Sequence, residues 1–297
     1  MWPPHPQLQP APQRRDGVPA DRSALEQDLR LATVRGEMVV HYQPKGDLRL
    51  DRITGAEALL RWNHPRWGTL PPDSFIPLAE ESGVIRELGE WVLEEACRQA
   101  VEWQDRCSGF VMAVNLSPRQ FQLQQIDEMV LEVLDRTGLA PHRLELEVTE
   151  SLALEQIDQV TTSLSNLRTM GVRCSLDDFG TGYCGLGYLD QYPVSGIKID
   201  KRFLDAVRTP GGEAPIVRAI IAMARDLQLD VVAEGVETTC QLEFLRDNDC
   251  HQIQGFLLSK PVSTLDFEIL LLLDQLDDPG PLAGAAHSPH WRRSASS

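Results

Sequence analysis

The sequence predicts an α/β protein built as a closed, mainly parallel (β/α)₈ barrel. Short apolar runs alternate with amphipathic stretches along the middle of the chain, giving about eight strands mostly separated by helices, and repeated strand–helix units imply a parallel sheet. The pattern occupies roughly 250 residues, the usual length of such a barrel. An open, doubly wound sheet competes, but no Gly-x-Gly-x-x-Gly follows a strand, so a dinucleotide-cofactor fold has weak support. One feature is unusual for either scheme: the first two strands are close enough to form a hairpin.

These are Met38–Tyr42 and Ile53–Trp62, joined by a polar turn around Gly46 and Asp47. Phe75–Trp103 reads as one long helix, with Trp91, Val92, Ala96 and Ala100 on an apolar stripe and Glu94 and Glu95 among the charges. Phe110–Asn115 is a short apolar strand. Ile126–Leu134 is helical, and Gly138 and Pro141 stop it. Leu144–Val148 is a strand, and Ile157–Met170 is a helix ended by Gly171. The strands Val172–Leu176 and Gly196–Ile199 follow. Ala214–Leu227 is a helix, Val231–Ala233 a strand, Gln241–Arg246 a helix and Ile253–Phe256 the last strand.

Composition bounds the function. The 297 residues carry a net charge of −16 and are 42% hydrophobic, which fits a globular protein and disfavours a nonspecific DNA or RNA binder or attachment to an anionic membrane. No apolar run approaches the roughly 18 residues of a membrane span, and no basic segment followed by an apolar block marks a secretory signal. Residues 1–21 and 279–297 hold nine of the 20 prolines and read as disordered tails; the folded unit is expected at 22–278, where the net charge reaches −18. None of the six cysteines forms a Cys-x-x-Cys pair, so they read as reduced thiols of a cytoplasmic protein.

Polar residues recur at the strand exits. Glu57 and Arg61 share a parity on the second strand, and Asn115 ends the third. Glu145 and Glu147 alternate with Leu144, Leu146 and Val148, and Glu150 follows. Asp177 and Asp178 end the next strand, Lys198 points opposite Ile197 and Ile199, and Glu234, Glu237 and Gln254 belong to the last two. Two like charges about 4 Å apart cost roughly 4 kcal/mol at an effective dielectric of 20. Converging carboxylates therefore need raised pKa values or divalent cations. The oxygen donors of Glu57, Asn115, Glu147, Asp177, Asp178 and Glu234 suit Mg²⁺ or Mn²⁺, in the manner of two-metal hydrolytic sites. Lys198 would orient an attacking water or take up its proton. Glu145, deeper in its strand, reads as structural, with an arginine as the expected partner; Glu150 and Glu237 read as loop supports. Taken singly, each residue has a bland explanation as an ion-pair, cap or turn residue; their joint placement on at least six strands does not. A sugar-binding barrel with paired carboxylates is disfavoured by Lys198, Asn115 and the Asp-Asp pair.

Eight ordered segments carry a resemblance. They are Tyr42-Gln43-Pro44, Glu57-Ala58-Leu59-Leu60-Arg61-Trp62, Val114-Asn115-Leu116-Ser117, Glu145-Leu146-Glu147-Val148-Thr149-Glu150, Asp177-Asp178-Phe179-Gly180-Thr181-Gly182-Tyr183, Ile197-Lys198-Ile199-Asp200, Ala233-Glu234-Gly235-Val236-Glu237-Thr238 and Gln254-Gly255-Phe256. Over about residues 24–275 the sequence resembles the EAL domain of cyclic di-GMP phosphodiesterases. The resemblance implies a modified TIM barrel with one antiparallel strand, in keeping with the early hairpin. It implies hydrolysis of cyclic di-GMP to linear pGpG with Mg²⁺ or Mn²⁺, two ions per site, in a homodimer. Glu57, Asn115, Glu147 and Asp177 then look like ligands of one ion, and Asp177 and Asp178 of the second. Lys198 and Glu234 look like the residues that activate the water, with Gln254 supporting it. Arg61 would contact substrate phosphate, with Gln43 beside it. Glu150 is similar to the glutamate that anchors the loop 179–189, which in this family links the metal site to the dimer interface. That loop departs from the common Gly-Tyr-Ser-Ser-Leu at Cys184 and Gly185, and Ser195 stands where an acid is usual; neither change removes a metal ligand. EAL-like domains that serve only as cyclic di-GMP receptors, the alternative reading, usually have eroded ligands.

Overall fold

Hairpin pairing starts the sheet. In the computed structural model β1 (Met38–Asp47) runs antiparallel to β2 (Arg52–His64), with Gln43 opposite Glu57 and Lys45 opposite Gly55. Described residues are 22–276 except 108, 151–156, 181–191, 208 and 210. Both expected tails, and Cys184 and Gly185, lie outside them. The strands β3 (Gly68–Leu70), β4 (Val111–Leu116), β5 (Leu144–Thr149), β6 (Arg173–Phe179), β7 (Gly196–Ile199), β8 (Asp230–Ala233) and β9 (Gln252–Gln254) complete the sheet. Pairing runs β1-β9-β8-β7-β6-β5-β4-β2-β3, and the β1–β2 ladder closes it. Eight strands thus form a barrel. Only β1 opposes its neighbours within that ring, while β3 is an appendage on β2. This is the expected (β/α)₈ class with one antiparallel strand.

Helices cover the outside: α1 (Arg22–Ala32), α2 (Ile76–Ser82), α3 (Ile85–Trp103), α4 (Pro118–Leu123), α5 (Ile126–Thr137), α6 (Ile157–Met170), α7 (Lys201–Leu204), α8 (Pro215–Asp226), α9 (Thr239–Asp247) and α10 (Thr264–Leu276). Two expectations need correction. The stretch 75–103 is two helices, because Gly83 takes φ +77° and its N–H bonds the Glu80 carbonyl. The first strand does not stop at Tyr42. It continues to Asp47, since its polar end is paired on both sides, by β2 and by β9. The outward faces of the strands bury Ala56, Ala58, Leu60 and Trp62 of β2 and Leu144, Leu146 and Val148 of β5 under the helices. Outside β1, Trp103 stacks on Phe267 of α10 at 4.5 Å between centroids and meets Tyr42 edge-on at 4.8 Å. Leaving the inward faces to polar groups is possible only if those groups satisfy one another.

Candidate active site

Lys198 stands at the centre of the barrel mouth. Its side chain is 1% exposed, and Nζ lies 2.5 Å from Glu147, 2.7 Å from Glu234, 3.3 Å from Asp177 and 3.5 Å from Glu57. Four strands deliver these groups: β2 brings Glu57, β5 Glu147, β6 Asp177 and β7 the lysine, while Glu234 follows β8. Asn115 of β4 is in register with Glu147 of β5, and its Nδ2 donates to Glu57 Oε1 at 2.6 Å. Gln254 of β9 donates from Nε2 to Glu57 Oε2 (2.6 Å) and to Gln43 Oε1 (3.0 Å), and Gln43 donates to the Ser259 carbonyl. Half-buried Arg61 donates to the Leu60 carbonyl and forms no ion pair among the described residues.

Adjacent strand residues ordinarily point to opposite faces. Asp177 and Asp178 escape this because the β6–β7 register breaks between Leu176 and Phe179 and Asp178 takes φ +55°, a left-handed conformation that aspartate tolerates. Carboxylate oxygens of Asp177, Asp178 and Glu234 consequently lie within 4.8 Å of one another. Glu150 accepts the Gly180 N–H at 2.9 Å, and Gly180 itself has φ +90°, so the chain is pinned where it leaves β6. Gly255 lets the segment after Gln254 approach the loop after β8 closely; a Cβ there would lie 2.2 Å from the Val236 carbonyl oxygen. Glu237 is not part of the cluster. Its side chain is exposed, and its main-chain N–H donates to Gln241, whose amide also caps α9 with Thr238. Ser195 bonds both the N–H and the carbonyl of Cys174, tying the entry of β7 to β6.

Crowding shifts the acid groups apart. Burial, then the neighbouring Glu147, raises the Glu57 carboxyl. Burial and the Asp177 charge raise Asp178 to about 6. Glu234 is pushed up to about 8, mainly by burial, with Lys198 opposing. Burial would also raise Glu147, but the charges of Lys198 and Lys45 overcome it and hold that carboxyl down at about 2. Lys198 is itself held well above the ordinary lysine range, because four carboxylates outweigh its desolvation.

Two residues of this network escaped the sequence reading. Glu145 pairs not with an arginine but with Lys45, at 3.1 Å. Lys45 sits two residues beyond Gln43 on the same face of β1, a signal hidden by ending that strand at Tyr42. Asp200 hydrogen-bonds Asp178 and is held in the ionised form by the backbone and side chain of Arg202. Beside Asn115 opens a cavity of about 410 Å³ walled by Leu59, Ile76, Leu88 and Val92.

Known proteins are similar to this chain in sequence and fold. The EAL domain family model matches residues 26–261. The bifunctional diguanylate cyclase/cyclic di-GMP phosphodiesterase MucR of Pseudomonas aeruginosa is 47% identical over 239 residues, 80% of this chain and 35% of that protein. The cyclic di-GMP phosphodiesterase NbdA of the same organism is 41% identical over 262 residues, 87% of this chain and 33% of that protein. The chain spans about a third of the length of the curated relatives it matches. Among solved structures, the PaMucR phosphodiesterase complex with c-di-GMP superposes with a TM-score of 0.77 at 46% identity, covering 82% of this chain and 99% of that one. The EAL domain of Mycobacterium smegmatis DcpA gives 0.67 at 37% identity, covering 80% and 98%. With four-fifths of its length matched by the family model and by these relatives, the chain belongs to the EAL domain family.

Proposed function

We propose that this chain hydrolyses cyclic di-GMP to linear pGpG, using two divalent cations, Mg²⁺ or Mn²⁺, to activate water. One observation carries the reading. Six carboxylates (Glu57, Glu145, Glu147, Asp177, Asp178 and Glu234) meet two ammonium groups, Lys45 and Lys198, and two divalent ions would balance the resulting formal deficit of four. Burial raises the carboxyls of Glu57, Asp178 and Glu234, and carboxylate neighbours push in the same direction, as converging acids do. The donors are all oxygen, as hard cations require.

Glu57, Asn115, Glu147 and Asp177 would hold one ion, and Asp177 and Asp178 the other. When bound there, such ions would supply charge to neutralise a phosphodiester and to lower the pKa of a water. Lys198 donates a hydrogen bond that aims the water, Glu234 accepts from it or completes the ion shell, and Gln254 supports both through Glu57. Arg61, without an ion-pair partner among the described residues, engages the substrate phosphate beside Gln43, and the cavity next to Asn115 offers a guanine an apolar wall. The protein works as a cytoplasmic homodimer in which Glu150 couples the site to the 179–189 loop through Gly180. Incubation with cyclic di-GMP and Mn²⁺, followed by chromatography, should yield pGpG that EDTA abolishes. Tight cyclic di-GMP binding with Ca²⁺ but no product with Mn²⁺ would make the protein a receptor instead.

A further inference from the structure

Glu147 is bracketed by two lysines that use different oxygens. Lys198 Nζ lies 2.5 Å from Oε2, while Lys45 Nζ lies 2.6 Å from Oε1. Lys45 is 3% exposed and enters from the one antiparallel strand, where it pairs across with Gln254 and Gly55. Its second partner, Glu145 Oε2 at 3.1 Å, lies one inward position deeper on β5 than Glu147. The two lysines therefore differ in their freedom to move. Lys198 is shared among four carboxylates of the mouth and can give up one contact while keeping others. Lys45 is confined to the floor beneath them.

We propose that Lys45, fixed by Glu145, is a positioning residue that immobilises Oε1 of Glu147 and so reserves Oε2 as the single oxygen this glutamate offers to a divalent cation. The inference rests on the metal-dependent reading above. On cation entry Lys198 yields its bond to Oε2, whereas the Lys45 bond persists. The Lys45–Glu145 pair is then a built-in support that orients a ligand from behind, and losing such support ordinarily costs about 10- to 100-fold in metal affinity.

Coulomb's law alone predicts the opposite sign. Deleting a buried cation beside a metal ligand should tighten metal binding, because like charges repel. The test compares wild type, Lys45→Met and the charge-balanced double variant Lys45→Met/Glu145→Gln, by calorimetric titration with Mn²⁺ alone and by kinetics with cyclic di-GMP. Positioning predicts that the double variant, still melting cooperatively, binds Mn²⁺ about tenfold more weakly or worse. Its turnover should recover part of the loss in excess Mn²⁺, with KM for the nucleotide within about twofold of wild type. Wild-type Mn²⁺ affinity in the double variant, or tighter binding by Lys45→Met, overturns the proposal while leaving the proposed function intact. Failure of the wild type itself to bind Mn²⁺ overturns that function. If Lys45→Met does not fold, the double variant, which leaves no unpaired buried charge, still decides the matter.

Discussion

Replacing Lys198 by methionine removes the charge that holds four carboxylates together and leaves the volume nearly unchanged. At separations of 2.5 and 2.7 Å from Glu147 and Glu234 the gross attraction is large, about 6 kcal/mol per pair at an effective dielectric of 20. Most of it offsets desolvation, and breaking a buried pair from one side costs about 3–5 kcal/mol net. For a domain of this size each kcal/mol moves the melting temperature by about 2–4 °C, so the metal-free variant should melt roughly 10 °C below wild type at pH 8. The gap should shrink at pH 5.5, where Glu234, already raised to about 8, is neutral. It should also shrink in saturating Mn²⁺, because the ions replace the missing charge. Turnover should nevertheless fall about 100-fold or more, since the water loses its orienting donor. Scanning calorimetry with and without Mn²⁺ reads all but the last. Equal melting of the two metal-free proteins, or a gap that Mn²⁺ leaves unchanged, would refute the reasoning.

Glu57→Gln should lower the melting temperature, since both Glu57 oxygens accept hydrogen bonds, from Asn115 and from Gln254 and Lys198, and an amide NH₂ would face one of those donors; it should also reduce turnover about a hundredfold or more with weakened Mn²⁺ binding, and retained activity would remove Glu57 from the ion site. Mn²⁺ uptake at pH 7 should release about one proton, largely from Glu234, and affinity should rise from pH 6 to 8, as titration in buffers of different ionisation heat will report. Because the folded pKa of Glu234 lies above its ordinary 4.5, its contribution to metal-free stability is full below about 4.5 and is lost as pH rises through about 8. Glu147, held down at about 2, works the other way: its contribution is full above about 4.5 and is lost as pH falls towards 2. Glu150→Ala frees the Gly180 N–H and should lower kcat while leaving the Mn²⁺ dissociation constant within about twofold, because the Gly180 contact lies at the loop entry.

The barrel was legible because strand and helix periods alternate cleanly from Leu144 onward, and the site because glutamates 145 and 147 and aspartates 177 and 178 interrupt apolar strands that a parallel barrel buries on both faces. What was hidden depended on tertiary pairing. Gly46 and Asp47 look like a turn in isolation and form strand because β2 and β9 pair with them from either side. The last helix, α10, has leucines on its exposed as well as its buried side (Leu272 and Leu273 against Leu271), so no polar face announces it. Gly83 inside an amphipathic pattern is a local break that helical periodicity passes over. The shared orientation of Asp177 and Asp178 comes from a register break that alternation cannot foresee.

Hydrolysis of cyclic di-GMP by the Mn²⁺-loaded protein in ¹⁸O-enriched water tests the central claim most directly. Activated water attacking phosphorus must leave a single ¹⁸O on the 5′-phosphate of pGpG, readable by mass spectrometry. Labelled pGpG, absent when Mn²⁺ is chelated, is the predicted result; unlabelled pGpG, or no product from a folded protein that binds Mn²⁺, would contradict it.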